Sequence, residues 1–123
     1  MVYVQQGNYP DAIAEFQRIV ELAPGMPLGM TALGHTYATA GRRAEAVKTL
    51  SELLDLSKQR FVSPASIAAI YGALGDKDQA FAWLDKADQA HDGILVRLKV
   101  DYRFDSLRSD PRFGELLKRV NLS

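Results

Sequence analysis

The chain has 123 residues, with 15 basic and 15 acidic side chains, so its formal charge is zero and no global field draws it toward nucleic acid or a membrane surface. Hydrophobic residues make up 47% and charged residues 24%, ordinary values for a globular chain that buries a core and fits one domain. The lack of cysteine excludes disulfides, thiolate nucleophiles and Cys-ligated metals, and without a bilayer-length apolar run or a basic-then-apolar leader the expected location is the cytoplasm.

A first helix is expected over residues 9–22. Asn8 stands as its N-cap, and Pro10 falls in the first turn, where a missing N–H costs nothing. Ala12, Ile13, Phe16, Ile19, Val20 and Leu22 form a broad apolar face, and Pro24-Gly25 stops the run. The next helix, residues 28–40, carries Leu33, Tyr37 and Ala40 and ends at Gly41, which supplies a left-handed turn. Its partner runs from about Arg42 to Ser57 with Ala46, Leu50, Leu53 and Leu54 facing inward. Ser63-Pro64 opens a third hairpin as N-cap and first helical residue, and its first helix ends at Gly75. Asp76 then caps a helix to about Ala90, with Gln79 at the capping-box position.

These elements repeat. Gly7, Gly41 and Gly75 are spaced by 34 residues, with Tyr3, Tyr37 and Tyr71 four residues before them. Ala12, Ala46 and Ala80 follow, then Phe16, Leu50 and Leu84, then Ile19, Leu53 and Ala87. The pattern Leu33-Gly34, Tyr37, Gly41, Ala46, Leu50, and again Ile67-Ala68, Tyr71, Gly75, Ala80, Leu84, Ala87, resembles the tetratricopeptide repeat (TPR) over residues 1 to about 92. Met30 and Pro64 occupy the usual Trp column, and Asp92 stands where proline is common. The resemblance implies an all-α, short right-handed α-solenoid of helix hairpins, because one such unit cannot bury its faces alone. The expected division is a truncated repeat at 1–26, repeats at 27–60 and 61–92, and a C-terminal cap at 93–123. Only Met1 to Gln6 remain of the first helix of repeat one, so a C-terminal piece of a longer solenoid is expected.

From Gly93 the 34-residue period is expected to end. Asp101-Tyr102-Arg103-Phe104-Asp105-Ser106-Leu107 is echoed nine residues later by Asp110-Pro111-Arg112-Phe113-Gly114-Glu115-Leu116. The second copy reads as a helix with Phe113, Leu116, Leu117 and Val120 in one stripe, and the first as a short irregular turn. This tail resembles the ends of TPR regions in bacterial multidomain proteins with kinase, cyclase or winged-helix head domains.

No catalytic constellation stands out. His35 and His91 lie far apart without metal-ligand spacing, so no cofactor and no metal are expected. His91-Asp92-Gly93 reads as a helix-ending turn, Asp85 and Asp88 as a solvated face, and Trp83 as a packing residue. In TPR arrays the first helix of each hairpin lines a concave face. By register, Leu28, Thr31, Ala32, His35, Ala38 and Thr39 belong there, with Val62, Ala65, Ser66, Ala69 and Ala73 from the next repeat and Val4 and Gln5 from the first. None of these is a lysine, asparagine or arginine that clamps a peptide carboxylate in some relatives, so burial of a helix or extended apolar segment is the expected mode, with filling by the chain's own tail as the alternative.

The resemblance therefore implies a non-catalytic protein–protein interaction module or scaffold, with a protein or peptide partner. The second expectation is a homodimer through Ile13, Phe16 and Val20, which a missing helix leaves uncovered. The third is nucleic-acid binding through a tail with seven Lys/Arg between residues 94 and 123 and with Tyr102, Phe104 and Phe113 interleaved.

Overall fold

Gly41 and Gly75 end their helices at φ +82° and +87°, where a side chain would be strained. At both, the next N–H closes the helix by bonding five residues back: Arg42 N–H to Tyr37 C=O at 2.9 Å, and Asp76 N–H to Tyr71 C=O at 3.0 Å. This closure separates the helices of the expected hairpins. In the computed structural model, which describes residues 9–98 and 101–120, the α-helices are α1 (Tyr9–Leu22), α2 (Pro27–Thr39), α3 (Arg43–Leu56), α4 (Pro64–Ala73), α5 (Lys77–Gln89) and α6 (Pro111–Arg119). Two 3-10 helices, Gly93–Arg97 and Tyr102–Leu107, lie between α5 and α6. Among the described residues there is no strand, and the chain is all-α. Tyr3, Val4, Gln5, Gly7 and Asn8 of the first repeat lie outside the described residues.

Helices α1, α3, α5 and α6 start at residues 9, 43, 77 and 111, a constant step of 34. The expected end of the period at Gly93 therefore does not hold for helix starts. Asp110 and Pro111 stand one period beyond Asp76 and Lys77. What lapses is the intervening first helix, replaced by 3-10 turns, so the side-chain columns no longer match.

Contacts divide the chain into two units at Val62/Ser63. The length suggests one domain, but in repeat chains contacts run between sequence neighbours. In the first unit α2 packs against both α1 and α3. Flanked on two sides, α2 buries Gly29, Thr31 and every residue from Leu33 to Ala38. Gly29 allows the approach of α1: a Cβ there would lie 3.0 Å from Ile19 Cγ2 and 3.2 Å from Val20 Cγ2. Gln17 Nε2 donates to the Tyr37 hydroxyl at 2.8 Å, and the Arg42 guanidinium lies 5.1 Å from the Tyr37 ring centre. Helix α3 is one-sided and buries Ala46, Thr49, Leu50 and Leu53.

The second unit is built on α4 and α5 with the tail packed on them. Asp92, Asp101 and Asp110, nine residues apart, each begin a helical turn in the same way. Their carboxylates accept from the N–H two residues on, at Ile94 (3.0 Å), Arg103 (3.0 Å) and Arg112 (2.9 Å). Their carbonyls accept from Leu95, Phe104 and Phe113 at 3.1, 3.2 and 2.9 Å. Those three side chains, with Leu98, Leu107 and Leu116 three positions further on, all lie in one core with Ala65, Ala68, Ala69, Phe81 and Leu84. The nine-residue echo thus has three copies, and the irregular first turn expected at 101–107 is a 3-10 helix.

Candidate functional site

The candidate catalytic groups are occupied by structure. His35 is buried in α2. His91 adopts φ +55° after α5, and the adjoining Asp92 N–H bonds to Ala87 C=O at 2.9 Å, the same closure as at Gly41 and Gly75. Asp92 joins two helix starts. One carboxylate oxygen accepts from Ser63 Oγ at 2.6 Å and Ala65 N–H at 3.1 Å, and the other takes Ile94 N–H. Asp85 pairs with Arg119 at 2.5 Å. Trp83 is half-buried against the core, with Lys86 Nζ 3.9 Å from its ring centre. Among the described residues no three His, Asp or Glu side chains gather as a metal site.

The tail's aromatics and arginines are similarly engaged. Phe104 and Phe113 are core residues. The side chain of Tyr102 lies outside the described residues. Arg103 grips Asp101 at 2.6 Å, Arg108 pairs with Asp105 at 2.8 Å, and Arg112 bridges Asp110 and Asp78, both at 2.9 Å. The hydrogen bonds from Arg112, side chain first and then backbone, hold the Asp110 carboxyl at about 2, below its ordinary 3.8. Donating to the Asp110 and Asp78 carboxylates in turn raises the Arg112 pKa. A shallow cleft of about 190 Å³ between α5 and α6 is lined by Phe81, Asp85, Arg112, Glu115 and Arg119. Its two cations face two acids in the same wall, so it offers no uncompensated charge to an anion.

The expected partner-binding columns divide by accessibility. Leu28 and Thr39 are exposed, and Ala32 and Ala73 are half-buried. Thr31, His35, Ala38, Val62, Ala65, Ser66 and Ala69 are buried. Ala65 and Ala69 share a core with Leu95, Leu98, Phe104 and Leu107, so part of the tail covers that side of α4. Gly72 permits the contact: a Cβ there would meet Ser106 Oγ at 3.1 Å and Leu107 Cγ at 3.2 Å. Val4 and Gln5 lie outside the described residues.

Of the residues expected to self-associate, Ile13 is buried and Phe16 and Val20 are half-buried. Among the described residues of the first unit, the exposed large apolar side chains are instead Ile19, Leu22, Met26, Leu28, Val47 and Phe61. The sequence places Ile19 and Leu22 on the apolar face of α1 and Leu28 in the partner-binding column, but periodicity marks a helical face without saying how far a neighbour covers it. The Asp92 link between helix starts was equally unseen, although its nine-residue distance from Asp101 was a readable signal.

Neither α2 nor α4 contains Asp, Glu, Lys or Arg, whereas α1, α3, α5 and α6 carry them on their open sides. An inner helix without charge beside an outer amphipathic one is how a helix hairpin hides one member and solvates the other. Family models of the tetratricopeptide repeat match residues 3–61 and residues 65–90, together more than half of the chain. No curated protein and no solved structure matches it. With helix pairs closed at Gly41 and Gly75 and two repeat models in tandem, the chain belongs to the tetratricopeptide repeat family.

Proposed function

We propose that this chain is a non-catalytic protein-interaction module that takes an apolar peptide, a helix or a partner domain on the accessible strips of its inner helices. The observation that carries this reading is the complete lack of Asp, Glu, Lys and Arg along α2 and α4. Leu28, Ala32 and Thr39 on α2, and Ala73 on α4, keep accessible surface. The other members of the same columns (Thr31, His35 and Ala38 on α2, and Val62, Ala65, Ser66 and Ala69 from the next repeat) are buried, Ala65 and Ala69 under the tail. A strip of small and apolar side chains recognises its partner by burial and shape rather than by charge. Tetratricopeptide repeats generally mediate protein–protein contacts, which supports the class of partner.

The test is a selection from a displayed peptide library followed by fluorescence anisotropy. Apolar or amphipathic peptides should be recovered, bind almost independently of salt, and weaken about tenfold (about 1.4 kcal/mol) with Ala32→Glu or Ala73→Glu. Selected peptides that are acidic and salt-sensitive, or that ignore both variants, contradict the reading.

A further inference from the structure

Helices α1, α3 and α5 are outer helices one period apart, so their side chains can be compared column by column. Ala12, Ala46 and Ala80, in the first turn, are buried in all three. Beyond that turn α1 departs from the other two. Phe16 is half-buried where Leu50 and Leu84 are buried. Ile19 is 42% exposed where Leu53 and Ala87 are 0% exposed. Leu22, one turn further on, is 78% exposed where Leu56 is half-buried. All these residues are apolar, so the difference lies in what covers them. Helix α3 packs against α2 and α5 against α4, each the inner helix of the same hairpin. Leu84 and Ala87 accordingly share a core with Ala65, Ala68 and Ala69 of α4. Among the described residues the helix packed on α1 is α2, which belongs to the following hairpin. It reaches Ile19 at Gly29 and still leaves that side chain open.

The interface that recurs at each 34-residue step identifies the occupant. Both inner helices lack Asp, Glu, Lys and Arg. Each buries a small residue after a large apolar one, Leu33-Gly34 in α2 and Ile67-Ala68 in α4, one period apart. A small side chain there lets the outer helix approach closely, and the absence of charge avoids desolvating an ion beneath it. We infer that Phe16, Ile19 and Leu22 form a docking face for a charge-free helix of this inner type, supplied by a partner protein and carrying glycine or alanine at its centre. Phe16 and Ile19, with half-buried Val20 beside them, stand at i, i+3 and i+4, the stripe that receives one helix. This face shares no residue with the strips of α2 and α4 that take a peptide in the reading above.

The test is fluorescence anisotropy with the whole chain and a labelled peptide of α4's own sequence, residues 63–75, extended by two lysines for solubility. The peptide should bind and gain helical circular dichroism. Ile19→Glu, and separately Leu22→Glu, should each weaken it about tenfold, whereas Ala32→Glu and Ala73→Glu should leave it unchanged. Leu22 is mostly in water, so its variant keeps the wild-type melt. A peptide carrying Ala68→Glu should not bind, which tests the contact without altering the protein. Four results overturn the inference. One is equal binding of an outer-helix peptide, residues 76–90. Another is loss of binding with Ala32→Glu instead of Ile19→Glu, which puts the peptide on α2. A third is binding only after residues 1–8 are deleted, which gives the position to the chain's own start. The last is no binding at all, whether or not the chain dimerises through Ile19.

Discussion

Arg112 reaches Asp78, 34 residues earlier, at 2.9 Å, and Arg119 reaches Asp85 at the same separation and 2.5 Å. Both ends of each pair advance by seven residues, so α6 runs parallel to α5 and in step with it. A helix that follows its predecessor at one repeat length, in the same direction, is the outer helix of a further repeat. The tail thus combines a retained outer helix with an inner helix reduced to 3-10 turns. The exposed side of α6 bears Arg112, Glu115, Lys118 and Arg119, which suits it to close the unit against water.

The Arg112–Asp110 pair has a pH signature. Because the Asp110 carboxyl is held at about 2 in the folded chain against an ordinary 3.8, its ionised form stabilises the fold fully above pH 3.8 and loses that effect as pH falls toward 2. Asp110→Asn keeps an oxygen for the Arg112 N–H but not the charge. Its melting temperature should lie below wild type by a constant margin at neutral and mildly acidic pH, with the two curves converging toward pH 2. A margin unchanged down to pH 2 would show that the charge contributes nothing.

Asp92 satisfies three donors from two segments while almost fully buried. Asp92→Ala leaves Ala65 N–H and Ile94 N–H without that acceptor and should cost about 2–3 kcal/mol in urea denaturation. Asn at this position retains a single oxygen, so Asp92→Asn should fall between wild type and alanine. Equal stability of all three would rule out the link between the starts of α4 and the tail.

Burial separates aromatics that look alike in sequence. Phe104 is fully buried in the second core, so Phe104→Ala should cost about 3–5 kcal/mol. Phe61 is 70% exposed, and Phe61→Ala should change monomer stability by no more than about 0.5 kcal/mol. Chemical denaturation at low protein concentration measures both, and comparable losses would contradict the assigned core.

The left-handed helix ends predict opposite signs for two kinds of change. No atom lies within 4 Å of a Cβ built at Gly41 or Gly75, so Gly41→Ala and Gly75→Ala meet backbone strain alone, about 1 kcal/mol each. His91 occupies the equivalent position with φ +55°, and His91→Gly should gain up to about 1 kcal/mol. Thermal melts of the three variants check the contrast, and a destabilising His91→Gly would reveal a side-chain role for the imidazole.

Local chemistry legible in the chain accounts for most of the helix boundaries. Gly41, Gly75, Ser63-Pro64 and Asp76 mark helix ends because caps and left-handed turns depend on the residue itself and its nearest neighbours. The 34-residue columns likewise expose the hairpin repeat, since each unit packs in the same way. The third nine-residue turn was harder to see: Asp92-Gly93-Ile94 lacks the Arg and Phe of its two successors, and only the shared bond geometry and the burial of Leu95 and Leu98 identify it.

The sequence by itself determined an all-α chain of paired helices, with inner members free of charge, because helix punctuation and apolar period are short-range properties. Only the tertiary structure decided which side of each helix stays open. Ala65 and Ala69 belong to a column that also contains the accessible Ala32 and Ala73, yet they are sealed by Leu98, Phe104 and Leu107 from some thirty residues downstream. Leu22 and Leu28 follow the same apolar rule as Leu33 but remain in water because no described segment packs over them. Coverage depends on what a distant stretch of chain does, and residue type at one position carries no record of that.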